Sequence, residues 1–254
     1  MSLPERIQEE LRQAAARAAN NGNGEGRPDP VLITGMHNSG TSILAEIVQA
    51  GGIFLGNGMH HNESRFFSIL VNDWLIMRGS DKWAGLPLMD VQEVVSCKDS
   101  AGRFVLDNWL ADYLHQGYDG SSRWGFKDPR LCVLMPLYLE LFPEATVVHI
   151  RRNPDDVAAS LCSRQKRGVG VKDDFEHWRE LAVAYTERMI EYSGKCSSYY
   201  ELNYEGLCTD PEGTVIDLFE FLKLDFSDSA EKVTARVTAD RIGSAKRREA
   251  CAVN

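Results

Sequence analysis

The chain has 254 residues, and its 43% hydrophobic and 26% charged content is that of an ordinary globular protein. One α/β domain of this length can bury most of its apolar surface, so extensive disorder is excluded outside the ends. The formal charge of −9 argues against a general nucleic-acid binder, which needs a broad basic face, so an anionic ligand would need a local basic pocket.

Residues 1–29 are predicted to form a small helix and a flexible linker. Residues 4–19 are rich in helix formers, and the polar, glycine-containing stretch 20–26 follows them. The start lacks the order of a secretory signal, and no apolar run reaches the roughly 18 residues that a membrane span requires. We therefore expect a cytoplasmic protein without a membrane span, whose main domain covers residues 30–254.

Strand–loop–helix units recur along this domain. The β-branched run 31–34 precedes apolar residues at helical spacing, and the apolar run 145–150 precedes a helix that starts at Pro154, with Asn153 as its cap. Further candidate strands are 124–126 and 198–203, and further candidate helices are 174–192 and 211–223. This order predicts an α/β fold, a three-layer sandwich with a central parallel sheet flanked by helices, whose ligands bind at the carboxyl ends of the strands.

The loop between the first strand and the first helix is a candidate phosphate site, because backbone N–H groups and a helix N-terminus can bind phosphate there. Gly35 and Gly40 let the backbone approach closely, and Thr41 and Ser42 place hydroxyls at the helix start. The middle of the loop adds His37, Asn38 and Ser39. A kinase-type P-loop has lysine where Thr41 stands, so chemistry on the γ-phosphate of ATP is disfavoured.

A second anion site is predicted after the strand at 145–150. Arg152 at the strand tip and Ser160 two turns into the following helix lie eight residues apart, so both could converge on one phosphate. The alternative is a solvated arginine and a serine that packs in the helix.

Together these segments resemble, over about residues 30–224, the sulfotransferase family that uses 3′-phosphoadenosine 5′-phosphosulfate (PAPS). Residues 35–42 look like its 5′-phosphosulfate loop. Residues 152–160 look like its 3′-phosphate motif, in which the residues matching Arg152 and Ser160 bind that phosphate. The blocks 124–130 and 203–207 agree with bacterial members, and Tyr204 matches a tyrosine near the adenine.

The resemblance implies a P-loop-NTPase-like sulfotransferase architecture and transfer of a sulfuryl group from PAPS to a hydroxyl or amine. The product nucleotide would be 3′-phosphoadenosine 5′-phosphate (PAP), and no metal would be required. The acceptor is expected to be a small molecule, a glycan or a lipid. Its identity and the oligomeric state stay open, with a homodimer as one option.

Two departures from the family pattern stand out. The family usually has lysine or arginine at the position of Asn38, so either another cation, such as Lys127 or Arg130, compensates or donor affinity and activity are reduced. The usual Arg-Lys-Gly adenosine loop is not evident near the C-terminus, although Arg241 and the basic run 246–248 could cover the nucleotide.

Sulfuryl transfer needs cations at the departing phosphate and a base at the acceptor. Lys127, at a predicted strand end, is our candidate for the first role, with an exposed lysine paired to Asp128 as the alternative. Glu63 is the first candidate base, because residues 62–67 resemble the Glu-x-x-Phe-Phe segment of heparan-type sulfotransferases, whose glutamate is the base. His61, His60 and His37 follow because imidazole titrates near neutrality, and Asp128 comes next.

The sequence is also compatible with two other functions. An atypical metal-dependent phosphotransferase would bind ATP and require magnesium. A non-catalytic nucleotide-binding protein of sulfotransferase descent would bind the donor without turnover. The acceptor pocket cannot be located from sequence, and Phe66, Trp74, Met77 and Trp83 are only candidate apolar contacts.

Overall fold

The computed structural model describes residues 28–57, 62–78, 95–96, 98–165 and 174–237. The predicted N-terminal helix and the basic C-terminal run therefore lie outside the described residues. Within these ranges, no helix is both long enough and apolar enough to cross a bilayer.

Four parallel strands form the centre of the fold, in the spatial order β2-β1-β3-β4. They are β1 (Val31–Thr34), β2 (Gly125–Lys127), β3 (Thr146–Arg151) and β4 (Ser198–Asn203). The prediction of a central parallel sheet is confirmed, with β2 and β3 placed one residue later than the sequence suggested.

Helices fill the connections between the strands. The first group is α1 (Thr41–Ala50), the π-helical α2 (Arg65–Asp73), α3 (Trp74–Arg78), the π-helical α4 (Lys98–Gly102) and α5 (Arg103–His115). The second group is α6 (Leu131–Leu141), α7 (Pro154–Gln165), α8 (Phe175–Ser193), α9 (Tyr204–Thr209) and α10 (Pro211–Leu222). Residues 228–237 are also helical.

The sheet separates two hydrophobic cores, because successive side chains along a strand point to opposite faces. Leu32 and Val147 belong to one core, together with apolar residues of α2 and α5–α8. Ile33 and Val148 belong to the other, together with α1, α10 and the helix at 228–237. Both faces are thus covered, which explains why β1 is buried along its whole length and confirms the three-layer α/β sandwich.

The strand order places the carboxyl end of β1 between the ends of β2 and β3. Ile33 lies in register with Lys127 on one side, and Thr34 lies in register with His149 on the other. The loop that follows β1 therefore emerges between Lys127 and Arg152. In parallel α/β sheets, ligands bind where strand order diverges in this way.

Candidate functional site

Two glycines shape the loop after β1. Gly35 and Gly40 have positive φ angles of 150° and 102°. A Cβ atom on Gly35 would lie 2.3 Å from the carbonyl oxygen of Ile150, and one on Gly40 would lie 2.6 Å from the ring of Tyr204. Glycine is therefore needed at both positions, and the loop closes tightly against β3 and α9 before α1 begins at Thr41.

Asn38 joins the two predicted anion-binding segments. Its φ of 64° is left-handed, a conformation that asparagine tolerates better than most residues. Arg152 Nη1 donates to the carbonyl oxygen of Asn38 at 2.8 Å, and Asn38 Nδ2 donates to Ser160 Oγ at 3.1 Å. Arg164 Nη1 donates to Asn38 Oδ1 at 3.0 Å. The loop after β1 and the helix after β3 thus meet at one residue.

Arg152 and Arg164 are partly buried cations of this corner. Neither forms an ion pair with a carboxylate of the described residues, whereas Arg130, Arg151, Arg179 and Arg236 all do. Two guanidinium groups that converge on one asparagine repel each other unless an anion lies between them. The charges of this corner therefore favour an anionic ligand.

Tyr204 covers the same corner. The Arg152 guanidinium carbon lies 4.5 Å from the centre of the Tyr204 ring, a cation–π arrangement, and the ring also lies against Gly40. The backbone N–H of Asn153 donates to Glu205 Oε1 at 2.8 Å, which fixes the start of α9 beside the end of β3. The predicted Tyr204, Arg152 and loop residues are thus neighbours.

Two buried polar atoms of this corner fit a phosphate ligand. Ser39 Oγ and Arg152 Nε are shielded from solvent, and neither has a hydrogen-bond partner among the described residues. Buried polar atoms are rarely left in this state, because the loss of hydration is costly. Phosphate oxygens would accept a hydrogen bond from each atom, so the residues present fit a phosphorylated ligand.

His37 contributes no charge to the loop. Burial lowers the pKa of His37 to about 3, with Asp128 opposing that shift and the positive charges of Arg130, Lys127 and Arg164 adding to it. The expectation that His37 titrates near neutrality is therefore wrong, and this imidazole is neutral at physiological pH. The effect on His37 shows that Arg130, Lys127 and Arg164 lie close to the loop, together with the buried Asp128.

Lys127 and Glu63 form a second constellation on the β2 side of the loop. Lys127 Nζ donates to Glu63 Oε1 at 2.8 Å, with Lys127 1% exposed and Glu63 27% exposed. The alternative of an exposed lysine paired with Asp128 is therefore wrong. Two of the three ammonium N–H bonds have no acceptor among the described residues, so Lys127 retains donors for a ligand.

A buried ionic network lies behind that constellation. Arg130 donates through Nε to Asp128 Oδ1 at 2.9 Å and through Nη2 to Asp128 Oδ2 at 2.7 Å. It also donates to Asp73 and to the carbonyl oxygen of Ser68 on α2. Asn72 Nδ2 donates to Asp128 Oδ2 at 2.8 Å. The network therefore fixes α2, which follows Glu63 directly, to the carboxyl end of β2.

This network excludes Asp128 as the base and Arg130 as the compensating cation. Burial would raise the pKa of Asp128, but the attraction of Arg130 and hydrogen bonds from Arg130 and Asn72 hold it well below its usual range. Asp128 is fully buried and has both oxygens occupied, so it is not a suitable base. Arg130 is committed to Asp128 and Asp73, so it does not replace the missing loop cation.

The remaining candidates divide between the described and undescribed parts of the chain. His60, His61 and Trp83 lie outside the described residues, and so does the side chain of Met77. Phe66 is fully buried and stacks on Phe104, so it is a core residue and not an acceptor contact. Trp74 is partly buried against that core.

Arg164 is the residue that the sequence interpretation missed. It follows Ser160 by four residues, and that spacing places both side chains on one face of α7. The spacing was visible in the sequence, but the contact with Asn38 depends on how the loop folds.

The fold and this corner define an α/β protein with a cationic corner, suited to a phosphorylated ligand, at the carboxyl edge of its parallel sheet. Residues 30–228 match the sequence model of the Sulfotransferase family. Because the match covers well over half of the chain, the chain belongs to that family.

Solved structures support the assignment of the fold. A sulfotransferase of Mycobacterium tuberculosis H37Rv is 18% identical with a TM-score of 0.52, over 89% of this chain and 75% of that one. The sulfotransferase domain of the Synechococcus PCC 7002 olefin synthase is 17% identical with a TM-score of 0.55, over 82% and 78%. A sulfotransferase of Alicyclobacillus acidocaldarius is 19% identical with a TM-score of 0.53, over 88% and 95%. At these identities the likeness concerns the fold alone.

An uncharacterized protein of Aquifex aeolicus (strain VF5) is 26% identical over 221 residues. The alignment covers 81% of this chain and 27% of that protein. The chain thus spans about a quarter of the length of this curated relative.

The buried network yields a stability prediction. Arg130→Met should lower the free energy of unfolding by about 3–5 kcal/mol, because it leaves Asp128 buried without its cation. Arg179→Met removes an exposed arginine that pairs with Asp155, and should cost less than about 1 kcal/mol. Urea unfolding of both variants measures the difference. A cost below 1 kcal/mol for Arg130→Met would contradict the importance of the network.

Proposed function

We propose that the chain is a PAPS-dependent sulfotransferase that transfers a sulfuryl group to a hydroxyl or amine of a small-molecule, glycan or lipid acceptor and releases PAP. The observation that carries the proposal is the convergence of Arg152 and Arg164, both without carboxylate partners among the described residues, on Asn38 of the glycine-shaped loop. Family membership supports the reaction class, and the resemblance in the two anion-binding segments supports the donor.

The donor would be held at two points. The 5′-phosphosulfate would bind the loop of residues 35–42, where Ser39 Oγ and the N-terminus of α1 offer donors. The 3′-phosphate would bind Arg152 and Ser160. Ser160 Oγ accepts from Asn38, and its own proton donates to none of the described residues, so it is available to a phosphate oxygen. Tyr204, packed on Arg152, would lie beside the nucleoside.

The chemistry is a single displacement. The acceptor oxygen or nitrogen forms a bond to sulfur, while the bond between sulfur and the 5′-phosphate oxygen breaks and its electron pair leaves with that phosphate. The acceptor proton passes to a base. The site must therefore stabilise growing negative charge on the phosphate and accept a proton at the acceptor.

Glu63 and Lys127 suit these two tasks. Glu63 is partly exposed, so an acceptor can reach its carboxylate, whereas Lys127 is buried behind it and carries a fixed positive charge at the end of β2. The ammonium orients Glu63 through the 2.8 Å hydrogen bond, and its other N–H donors are available to the departing phosphate or to sulfuryl oxygens. A buried donor needs little reorganisation when negative charge develops beside it.

We propose no metal ion for this reaction. The cytoplasmic location, the absence of nucleic-acid partners, the extent of the domain over residues 30–254 and a homodimeric assembly stay predictions. His61 stays an alternative base, because it precedes Glu63 by two residues but lies outside the described residues.

Arg152→Ala should weaken the binding of PAP by about 10- to 100-fold while leaving AMP binding nearly unchanged, because AMP lacks the 3′-phosphate. Arg151→Gln is the control. Arg151 pairs with Glu201, so this substitution removes the same charge one residue away. Isothermal titration calorimetry of each variant measures both nucleotides. Equal losses for PAP and AMP would refute the assignment of the 3′-phosphate to Arg152.

Glu63→Gln should lower turnover by about 10²- to 10⁴-fold with donor affinity nearly unchanged, because it removes the base and retains a hydrogen-bond acceptor for Lys127. The control Glu201→Gln neutralises a carboxylate of β4 that pairs with Arg151. Acceptor-dependent release of PAP, measured with a panel of hydroxyl and amine compounds, reports turnover. Unchanged turnover in Glu63→Gln would transfer the role of base to a histidine. A wild-type chain that binds PAPS but never releases PAP would instead favour the non-catalytic alternative.

A further inference from the structure

Arg164 is a cation that lies at the donor site without an assigned role. It belongs to the last turn of α7, is half-buried, and donates from Nη1 to Asn38 Oδ1 at 3.0 Å. We propose that Arg164 binds the 5′-phosphosulfate of the donor and supplies the positive charge that the loop after β1 lacks. This inference rests on the proposed function, because it assigns a further ligand-binding residue to the same site.

The Asn38 amide fixes Arg164 to the loop. Ser160 and Arg164 stand one helical turn apart on the same face of α7, and the amide bridges them, with Nδ2 donating to Ser160 and Oδ1 accepting from Arg164. The side chain of a lysine at position 38 would have no acceptor atom, and its charge would repel the Arg164 guanidinium. A neutral asparagine at position 38 and an arginine at position 164 therefore form a compatible pair.

No carboxylate of the described residues neutralises the charge of Arg164. No ion pair joins it to a carboxylate within the described ranges, and only one of its five N–H donors has a described acceptor. A half-buried guanidinium in this state gains from binding an anion, since charge-assisted hydrogen bonds are about twice as strong as neutral ones. Its charge also acts on His37 of the loop, whose pKa it helps to lower.

The contacts assign Arg164 to the 5′ end of the donor. Asn38 and His37 both belong to the loop whose backbone faces the N-terminus of α1. Arg152 also contacts Asn38, but at its backbone carbonyl, and its guanidinium packs on the ring of Tyr204, on the side of the predicted 3′-phosphate. The two arginines thus approach Asn38 at different atoms, which fits contacts with two different phosphate groups.

Arg164→Gln tests this assignment with three nucleotides. We expect this substitution to weaken the binding of PAP and of AMP by the same factor, about 10- to 100-fold, because both nucleotides carry a 5′-phosphate. Adenosine 3′-monophosphate should bind as it does to the wild type. Arg164→Lys keeps the charge and should recover most of the affinity. Arg179→Gln on α8 removes an equal charge from an exposed ion pair with Asp155 and should change no affinity.

Calorimetry at two salt concentrations gives a second readout. The PAP affinity of Arg164→Gln should depend less steeply on salt than that of the wild type, because one charge pair is missing. Unchanged PAP and AMP affinities in Arg164→Gln would overturn the proposal, and so would weaker binding of PAP and adenosine 3′-monophosphate with AMP binding unaffected. Failure of the wild type to bind PAP would refute the proposed function itself, whereas wild-type PAP binding with an unaffected Arg164→Gln would refute only this inference.

Discussion

The site depends on positive charge at Asn38 that no carboxylate in the described part of the chain pairs with. Arg152 and Arg164 reach this residue from the end of β3 and from α7, and the described residues supply no anion between them. Holding two like charges together costs folding free energy, which a bound anion can return as binding free energy. In a chain with a net charge of −9, this local concentration of cations gives an anionic ligand a defined place to bind.

The side of the site that contains Glu63 and Lys127 depends on the opposite arrangement, a neutralised ion pair. There, Asp128 and Arg130 neutralise each other in the interior, and further hydrogen bonds to α2 satisfy their remaining atoms. Such a pair contributes little net stability but tolerates no unpaired partner, so it defines one position for α2. Because Glu63 lies just before α2, the pair also sets where the carboxylate meets Lys127. One ion pair thus positions the residues proposed to act on the acceptor.

The sequence predicted the sheet and the strand–loop–helix segments that meet at Asn38 because those signals are local. The apolar run at 31–34, the glycines of the loop and the cap-and-proline start of α7 each determine a short stretch of backbone. Two expectations were wrong because burial and pairing depend on residues distant in sequence. His37 does not have a pKa near neutrality, and Arg130 does not replace the cation that is missing at Asn38. Arg164 was missed for the same reason, since residues 38 and 164 meet only after β1 and β3 pair.

The central claim is that the corner around Asn38 binds an adenine nucleotide with phosphates at both the 3′ and 5′ positions. The most direct measurement is a calorimetric titration of the wild-type chain with PAP, and separately with ATP and Mg²⁺. The account predicts tight binding of one PAP per chain and much weaker binding of ATP with magnesium. Tight uptake of ATP with Mg²⁺ and no heat on addition of PAP would contradict it.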